Sequence, residues 1–281
     1  MSNGVNLKSY LKLLRTSDAR GYFLLAIFGF LLAKGFLSSP GEIFIFWLIV
    51  FLFLGFGFSI NDCFDQKEDS FDPTKKNPIV LKKISFKRAL FFSISLIILG
   101  LILTSFFGLK IFFLSLLAVS IPLFYSAPPL RLKSRPIFDL ISHGLFYPLI
   151  FISPFLVFKT EIKPIYFLIS LSLFYFSIIS ELRNQWEEFE ADKKAGLKNT
   201  FNVLGFKGSE KLLRFLVIFS PLTFIPIFLF TPQPYLLFFS IITFLFFSLF
   251  LLVENLKFVK SYRIIDVYSI SSLGLILIAL W

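Results

Sequence analysis

Long apolar runs, separated by short charged segments, make up almost the whole chain. The runs lie at about 21–38, 43–60, 89–107, 111–125, 137–158, 164–182, 212–230, 234–253 and 264–281. Each is long enough, or nearly so, to cross the roughly 30 Å hydrocarbon core of a bilayer as an α-helix, which satisfies its own backbone polar groups. The pattern predicts an all-α polytopic membrane protein. We expect a single membrane-embedded domain, 1–281, with nine transmembrane helices in a bundle.

The N-terminal segment 1–20 differs from these runs because basic and leucine side chains alternate along it. Its basic residues are Lys8, Lys12, Arg15 and Arg20. This pattern predicts a short amphipathic helix lying in the membrane interface. A long apolar run follows without a small-residue cleavage pattern, so we do not expect a cleavable signal.

Lysine and arginine orient the nine predicted helices. If the helices alternate in direction, only Lys34, Lys110, Lys159 and Lys163 of the 28 Lys and Arg residues lie on the side opposite the N-terminus. Basic residues concentrate on the cytoplasmic side of membrane proteins. We therefore expect an integral protein of the cytoplasmic membrane, with its N-terminus and its charged loops in the cytoplasm.

Composition agrees with the membrane assignment and limits the range of partners. The chain is 57% hydrophobic and 16% charged, with a net charge of +11. Such a charge is also typical of nucleic-acid-binding proteins, but here the basic residues lie in loops between apolar runs and act as topology signals. The lipid bilayer is the expected partner, and no nucleic acid is expected.

An acidic segment follows the second apolar run at Asn61–Pro78, with the sequence NDCFDQKEDSFDPTKKNP. If the preceding helix continues, Asp62, Asp65 and Asp69 share one helical face, because they are spaced i, i+3 and i+7. Carboxylates this close repel one another unless a cation lies among them. Mg2+ prefers such oxygen ligands and commonly shares them with substrate phosphates.

A second acidic segment, Glu181–Thr200, follows the sixth apolar run on the same side of the membrane. Read as a helix, it places Glu181, Gln185, Glu188 and Asp192 on one face. The two acidic segments are four predicted helices apart. This spacing suggests two pseudo-repeated four-helix halves, about 21–136 and 137–253, followed by a ninth helix at 264–281.

A basic loop lies between the two acidic segments at Tyr125–Pro136. Pro128 and Pro129 stiffen it, and it carries Arg131, Lys133 and Arg135. Two acidic helices beside a basic loop can bind a diphosphate, because metal ions bridge carboxylates to phosphate oxygens and the basic side chains neutralise the remaining charge. The apolar tail of such a ligand would lie between the membrane helices.

These three segments resemble the motifs of the UbiA superfamily of intramembrane prenyltransferases. Asn61-Asp62-x-x-Asp65-x-x-x-Asp69 is similar to its first aspartate-rich motif, and Tyr125-Ser126-x-Pro128-Pro129-Leu130-Arg131-Leu132-Lys133 to its loop between helices 4 and 5. Asp192–Thr200, DKKAGLKNT, followed by Leu204-Gly205, is similar to the end of its second motif. The resemblance implies a nine-helix bundle around a central cavity, with helical cytoplasmic loops over its mouth. It also implies Mg2+-dependent transfer of a prenyl group from a prenyl diphosphate to an acceptor.

The resemblance also implies which residues act. The metal-binding and catalytic residues would be Asp62, Asp65, Asp69, Glu188 and Asp192. The diphosphate-binding residues would be Asn61, Lys76, Tyr125, Arg131, Lys133 and Asn184. Loss of diphosphate would leave an allylic carbocation, which aromatic faces such as that of Tyr125 can stabilise.

The chain departs from the family pattern in the second motif. Gln185 stands where an aspartate is usual and cannot carry charge, and Glu188 places its carboxylate one methylene further out. Glu181 and Glu187 are candidates to compensate, although a solvated position is an equally good interpretation for each. We interpret His143, the single histidine, and nearby Asp139 as a polar packing pair rather than a catalytic base.

Two functions fit the sequence. The favoured hypothesis is a prenyltransferase acting on a hydrophobic or aromatic acceptor, in quinone, isoprenoid lipid or pigment biosynthesis. The alternative is a transporter or cation-binding membrane protein that uses the acidic loops as a divalent site. A transporter should carry ionisable residues near the bilayer midplane. Here nearly all of them lie at one interface, which favours the enzyme.

Overall fold

The computed structural model describes residues 7–231, 233–253 and 263–280, and its regular elements are helical throughout these ranges. The α-helices are α1 (Leu7–Leu13), α2 (Arg20–Leu32), α3 (Pro40–Phe64), α4 (Gln66–Ser70), α5 (Phe86–Thr104), α6 (Leu109–Ser126), α7 (Phe138–Gly144), α8 (Phe146–Val157), α9 (Pro164–Glu187), α10 (Phe189–Ala195), α11 (Thr200–Phe219), α12 (Ile225–Phe230), α13 (Pro234–Val253) and α14 (Arg263–Leu280). The predicted all-α class is confirmed for this part of the chain.

Six helical stretches among the described residues are long and apolar enough to cross a membrane. They are Pro40–Phe64, Phe86–Phe107, Leu109–Ser126, Phe138–Val157, Pro164–Glu187 and Thr200–Phe230. Helices α2, α13 and α14 lie in the other three predicted ranges. The protein is therefore membrane-embedded, while the count of nine spanning helices stays a prediction. Residues 1–6, 232, 254–262 and 281 lie outside the described residues, and so does the end of the predicted ninth helix at 281.

The longest helix, α3, delivers the first acidic segment to the membrane edge. Ser39 caps its start: the Ser39 hydroxyl accepts from the amide of Glu42 at 3.3 Å, and the Glu42 carboxylate accepts from the amide of Ser39 at 3.0 Å. Such a capping box satisfies two amides that the first turn leaves free. Pro40 then occupies the first helical position, where its missing N–H costs nothing.

Helix packing brings the two acidic segments together at one end of the bundle. Helix α3 packs on α5 and α6, whereas α9 packs on α7, α8 and α11. Helices α2 and α8 join the two groups at close range: a Cβ on Gly29 would lie 2.1 Å from the Phe151 carbonyl oxygen. Phe151, Ile169 and Leu182 are fully buried in the resulting core.

Two local features of the fold shape the site. The predicted span 137–158 is divided at Leu145 into α7 and α8, so that α7 is a short helix at the charged end. Helix α11 carries a kink at Gly205, whose φ of 68° favours glycine. The turns of α11 before this kink hold Thr200 and Phe201 against α7 and α9.

Helix α1 docks on the bundle as well as facing outward. Leu13 is fully buried in a cluster with Cys63, Ile79 and Ala89, whereas Leu7 and Leu11 are exposed. The amphipathic pattern therefore covers α3 and α5 with one face of the helix. This docking places Arg15, two residues beyond the end of α1, beside Asp62 in the last turn of α3.

Candidate active site

The first acidic segment buries four carboxylates within two helical turns. Asp62 belongs to the last turn of α3, Asp65 joins α3 to α4, and Glu68 and Asp69 lie on α4. Backbone hydrogen bonds run on through this junction, from the amide of Asp65 to Asn61 at 3.0 Å and from that of Asp69 to Asp65 at 2.8 Å. The chain thus keeps a nearly helical path, and all four acids are less than a tenth exposed.

Three basic residues from distant segments neutralise these carboxylates. Arg15 forms an ion pair with Asp62. The Lys133 ammonium lies 2.5 Å from Asp65 Oδ1, and the Arg131 guanidinium lies 2.8 Å from Glu68 Oε1. Arg131 also donates to the Phe64 carbonyl at 3.0 Å. Buried charges need such partners, and the basic loop supplies two of the three.

Asn77 ties the acidic segment together. Its side-chain amide donates to Asp69 Oδ2 at 2.8 Å and to the Asp62 carbonyl at 2.9 Å. Its oxygen accepts from the amide of Ile79 at 2.9 Å. Burial raises the pKa of Asp69, while the hydrogen bond from Asn77 acts in the opposite direction. Asn77 therefore fixes Asp69 beside the end of α3.

The second acidic segment presents two carboxylates at the end of α9 and on α10. Glu188 forms an ion pair with Lys75, which follows the first acidic helix, so this pair links the two acidic segments. Asp192 accepts from the Asn199 side chain at 2.9 Å. Burial, followed by the nearby charge of Glu188, raises the pKa of Asp192 to about 7.

Gln185, the departure from the family pattern, is a buried bridge. Its amide nitrogen donates to Asp139 Oδ2 at 2.9 Å and to Glu181 Oε1 at 2.8 Å. Its oxygen accepts from the amide of Phe201 at 3.0 Å. An aspartate in this position would have neither donor, so the amide suits the surroundings that the fold gives it.

Glu181 and its contacts form a polar cluster deeper in the protein. The Tyr125 hydroxyl donates to Glu181 Oε1 at 2.7 Å, and His143 Nε2 lies 3.5 Å from Glu181 Oε2. The other nitrogen of His143 lies 3.1 Å from the Ser177 hydroxyl. The expected pair of His143 with Asp139 was wrong, because Asp139 instead accepts from Thr200 and Gln185 across the helix interface.

A cavity of about 320 Å³ runs from this charged end into the bundle. Its charged end is lined by Arg15, Asp65, Lys75, Lys133, Glu188 and Asp192. Its deeper wall is mostly apolar and includes Phe46, Ile49, Phe53, Leu54, Phe146, Leu149, Ile150 and Val157. The space is polar at one end and apolar at the other, which suits a ligand with a charged head and a hydrocarbon tail.

The structure brings most of the predicted site residues to this cavity. Asn61, Asp65, Tyr125, Lys133, Asn184, Glu188 and Asp192 line it. Asp62 and Asp69 are buried beside it, and Arg131 donates a hydrogen bond to Glu68. Lys76 is exposed, whereas the adjacent Lys75 reaches Glu188.

Sequence reasoning did not assign Arg15, Lys75, Asn77 or Asn199 to the site. The signal for Asn77 was its place at the end of the first acidic segment, directly before Pro78. Arg15 had none beyond its place in an amphipathic segment.

The donor set fits Mg2+ in its chemistry. All candidate ligands are carboxylates, and buried Glu68 Oε2 has no hydrogen-bond partner among the described residues. In this arrangement the basic side chains lie between the acids. No group of three His, Cys, Asp or Glu side chains within the described ranges is gathered for a metal ion.

Comparison with known protein families identifies the fold and the motifs together. The model of the UbiA prenyltransferase family matches residues 22–270. The chain belongs to this family. The match covers both acidic segments and the basic loop, and it confirms the predicted enzyme class, a prenyltransferase, over the transporter alternative.

Individual relatives of this UbiA family member span most of its length. A digeranylgeranylglyceryl phosphate synthase of Saccharolobus solfataricus is 29% identical over 230 residues, which are 78% of each chain. Another synthase of that name, from Methanococcus aeolicus, is 31% identical over 69% of this chain and 67% of its own. A lycopene elongase/hydratase of Corynebacterium glutamicum is 31% identical over 63% of this chain and 64% of its own.

Solved structures show the same fold. A UbiA homolog from Archaeoglobus fulgidus bound to Cd2+ has a TM-score of 0.70 and 25% identity, over 97% of each chain. The homolog bound to DMAPP and Mg2+ has the same TM-score and 24% identity, over 96% of this chain and 99% of that one.

Proposed function

We propose that this UbiA family member transfers a prenyl group from a prenyl diphosphate to a hydrophobic acceptor within the membrane, with Mg2+ as cofactor. The observation that carries the proposal is the cavity, which joins a mouth of paired carboxylates and basic residues to an apolar interior. A prenyl diphosphate has the same division between a charged head and a hydrocarbon tail. The Archaeoglobus homologs bound to DMAPP or GPP together with Mg2+ support this assignment.

The mouth would hold the diphosphate. Mg2+ bound by Asp62, Asp65, Asp69, Glu188 and Asp192 would neutralise phosphate oxygens and stabilise the leaving group. Lys133, Lys75 and Arg15 each hold one of these acids in the present arrangement. When the donor binds, these side chains would turn from carboxylate to phosphate, which exchanges one charge-assisted contact for another. The basic residues thus keep the acids paired until substrate arrives.

The interior would protect the reacting carbon. Departure of diphosphate leaves a positive charge spread over the allylic carbons, and aromatic faces attract such a cation. Tyr125 and Phe146 lie on the cavity wall with ring centroids 5.8 Å apart, and His143 packs against Phe146 at 5.1 Å. These rings lie between the charged mouth and the apolar wall, where the cation would form. The surrounding apolar side chains exclude water that would otherwise capture it.

The acceptor would reach the cavity from the lipid phase. Names of the relatives suggest two acceptor classes, a prenylated glyceryl phosphate and a carotenoid. The sequence alone also left aromatic quinone precursors open. We further propose that the mouth faces the cytoplasm, because the basic residues concentrate on that side of the predicted topology. A water-soluble diphosphate donor made in the cytoplasm would then meet a lipid acceptor at the membrane interface.

The experiment that tests this function uses the full chain reconstituted in lipid nanodiscs. Geranylgeranyl, geranyl and dimethylallyl diphosphate are each supplied with Mg2+ and one acceptor: geranylgeranylglyceryl phosphate, lycopene or a hydroxybenzoate. We expect diphosphate release and a prenylated product, by mass spectrometry, with at least one pair, and none with EDTA. Absence of turnover with every pair, while Mg2+-dependent donor binding is also absent, contradicts the proposal.

A further inference from the structure

One carboxylate in the cavity wall differs from all those at the mouth. Glu181 is 5% exposed and lies on α9 seven residues before Glu188. At 1.5 Å per residue, this places it about 10 Å deeper along the helix axis. It lines the same cavity as Asp65 and Lys133. Its depth is that of the aromatic rings, where the prenyl carbon and the acceptor would meet, rather than that of the diphosphate.

The contacts of Glu181 are also of a different kind. The mouth acids Asp62, Asp65 and Glu188 pair with arginine or lysine. Glu181 Oε1 instead accepts two hydrogen bonds, from the Tyr125 hydroxyl at 2.7 Å and the Gln185 amide at 2.8 Å. Its Oε2 lies 3.5 Å from His143 Nε2. One oxygen is thus firmly held, and the other keeps room to accept a proton.

From this geometry we infer that Glu181 is the proton acceptor of the transfer reaction, an inference that rests on the proposed function. The bond between the allylic carbon and the diphosphate oxygen breaks, and diphosphate leaves with the electron pair. The acceptor donates an electron pair to the allylic carbon, forms the new bond and loses one proton. Glu181 Oε2 takes that proton. Charge and atoms balance without any further reactant.

The neighbours of Glu181 act as positioning residues. Tyr125 and Gln185 fix one carboxylate oxygen, so that the free one is held in a single orientation. His143 is itself held by Ser177, whose hydroxyl donates to the His143 carbonyl at 2.7 Å and accepts from His143 Nδ1 at 3.1 Å. The buried histidine thereby stands beside the free oxygen and can pass a proton on. The amide of Gln185 donates a hydrogen bond to Glu181, whereas an aspartate in that position would place a second negative charge beside the base.

Asp139, the other buried acid of this cluster, is unsuited to the same task. Its two oxygens accept from the Thr200 amide and hydroxyl at 2.5 Å each, from the Leu140 amide at 2.8 Å and from Gln185 at 2.9 Å. It is fully buried and is not part of the cavity wall. These four donors leave it no free lone pair directed at a substrate. Asp139 therefore anchors α7, α9 and α11, and Glu181 remains the candidate base.

The test compares Glu181→Gln with Glu187→Gln in nanodiscs with Mg2+. The probes are geranylgeranyl diphosphate and geranylgeranylglyceryl phosphate, or lycopene if only that acceptor turns over. For Glu181→Gln we expect transfer to fall at least about 100-fold, a typical loss for a missing general base, with donor KM and donor binding changed less than about twofold. Glu187 is exposed on the same helix and is the matched control. Glu181→Ala should be rescued at least about tenfold by added formate, a small carboxylate base.

The outcomes separate this inference from the proposed function. Failure of the wild-type chain to turn over any donor would overturn the function. Wild-type turnover with an equally active Glu181→Gln variant would overturn only the inference. The Glu181 variants could instead lose both donor binding and prenyl transfer, without rescue by formate. Glu181 would then support the fold or the donor site, and this result would also overturn the inference.

Discussion

The two acidic segments occupy equivalent places after α3 and α9, yet the fold treats them differently. In the first, Asp62, Asp65 and Glu68 are each paired with an arginine or lysine from a distant segment. In the second, Gln185 donates to the carboxylates of Asp139 and Glu181, and Asp192 accepts from the side-chain amide of Asn199. Glu188, paired with Lys75 of the first segment, is the exception.

This difference indicates that the two acidic segments have different roles. In the first segment, the acids are charged and paired with basic side chains from other segments. The second segment divides its acids between the mouth, where Glu188 and Asp192 line the cavity, and the interior, where Glu181 accepts hydrogen bonds from Tyr125 and Gln185. Gln185, in place of the usual aspartate, removes a charge from this interior cluster and adds a donor to it. Each segment is therefore expected to respond differently to substitution.

The largest effect should come from the first segment. Asp65→Asn removes a carboxylate on the cavity wall that faces Lys133, so both metal binding and alignment of the diphosphate should suffer. We expect a loss of about 10²–10³-fold in kcat/KM for prenyl transfer, measured in nanodiscs at saturating Mg2+. Asp62→Asn and Asp69→Asn should each also cause a strong loss.

The control for this prediction is Glu190→Gln, an exposed acid on α10. If Asp65→Asn and Glu190→Gln lose equally little activity, the first segment is a solvated acidic loop and the comparison fails.

The next effect concerns stability and tests the second segment. Gln185→Glu preserves size but replaces the amide that donates to Asp139 and Glu181 with a third carboxylate. Two buried acceptors lose their donor, so we expect the free energy of unfolding to fall by about 2 kcal/mol. Thermal unfolding in nanodiscs measures this. Restoring the acid should not strengthen Mg2+ binding, because the side chain reaches inward. Tighter Mg2+ binding with unchanged stability would show that position 185 belongs to the mouth.

The broad organisation of both segments could be predicted from the sequence, because it depends on period and order. Apolar runs located the helices, and alternation placed Asn61–Pro78, the basic loop and Glu181–Thr200 at one end of the bundle. Helical spacing then brought Asp65, Glu188 and Asp192 to the cavity. These features depend on the spacing and order of residues along the chain, so a single sequence is enough to reveal them.

The contacts that distinguish the two acidic segments could not be predicted, because they depend on how distant parts of the chain pack together. Nothing in the pattern of α1 shows that it folds back and aims Arg15 at Asp62. Lys75 and Lys76 are adjacent and chemically equal, and only the path of the loop directs one of them to Glu188. The sequence suggested that Gln185 is a poor metal ligand. Its hydrogen bond to Asp139 is not visible there, because Asp139 lies on another helix. Side-chain partners across helices follow from packing rather than from periodicity.

A smaller effect should appear in the dependence of metal binding on pH. Burial raises the pKa of Asp192 to about 7, so its carboxylate is mostly charged at pH 8 and mostly protonated at pH 6. Since Mg2+ binds the charged form, the Mg2+ concentration for half-maximal activity should rise about tenfold as pH falls from 8 to 6. Titrations of activity against Mg2+ at several pH values measure this. Asp192→Asn should reduce the dependence, and an identical dependence in that variant would assign it to another group.

The smallest effect is expected one residue before Glu188. Glu187 belongs to the second segment and carries the same charge as its neighbour, but its side chain is exposed to solvent. A charge in that position interacts weakly with the cavity, because water screens it. Glu187→Gln should change prenyl transfer by less than about twofold, whereas Glu188→Gln, which breaks the ion pair with Lys75 at the mouth, should reduce it about tenfold. Steady-state rates of the two variants at equal Mg2+ decide the point. Equal losses would mean that the face of α9 turned toward the mouth is wider than the structure shows.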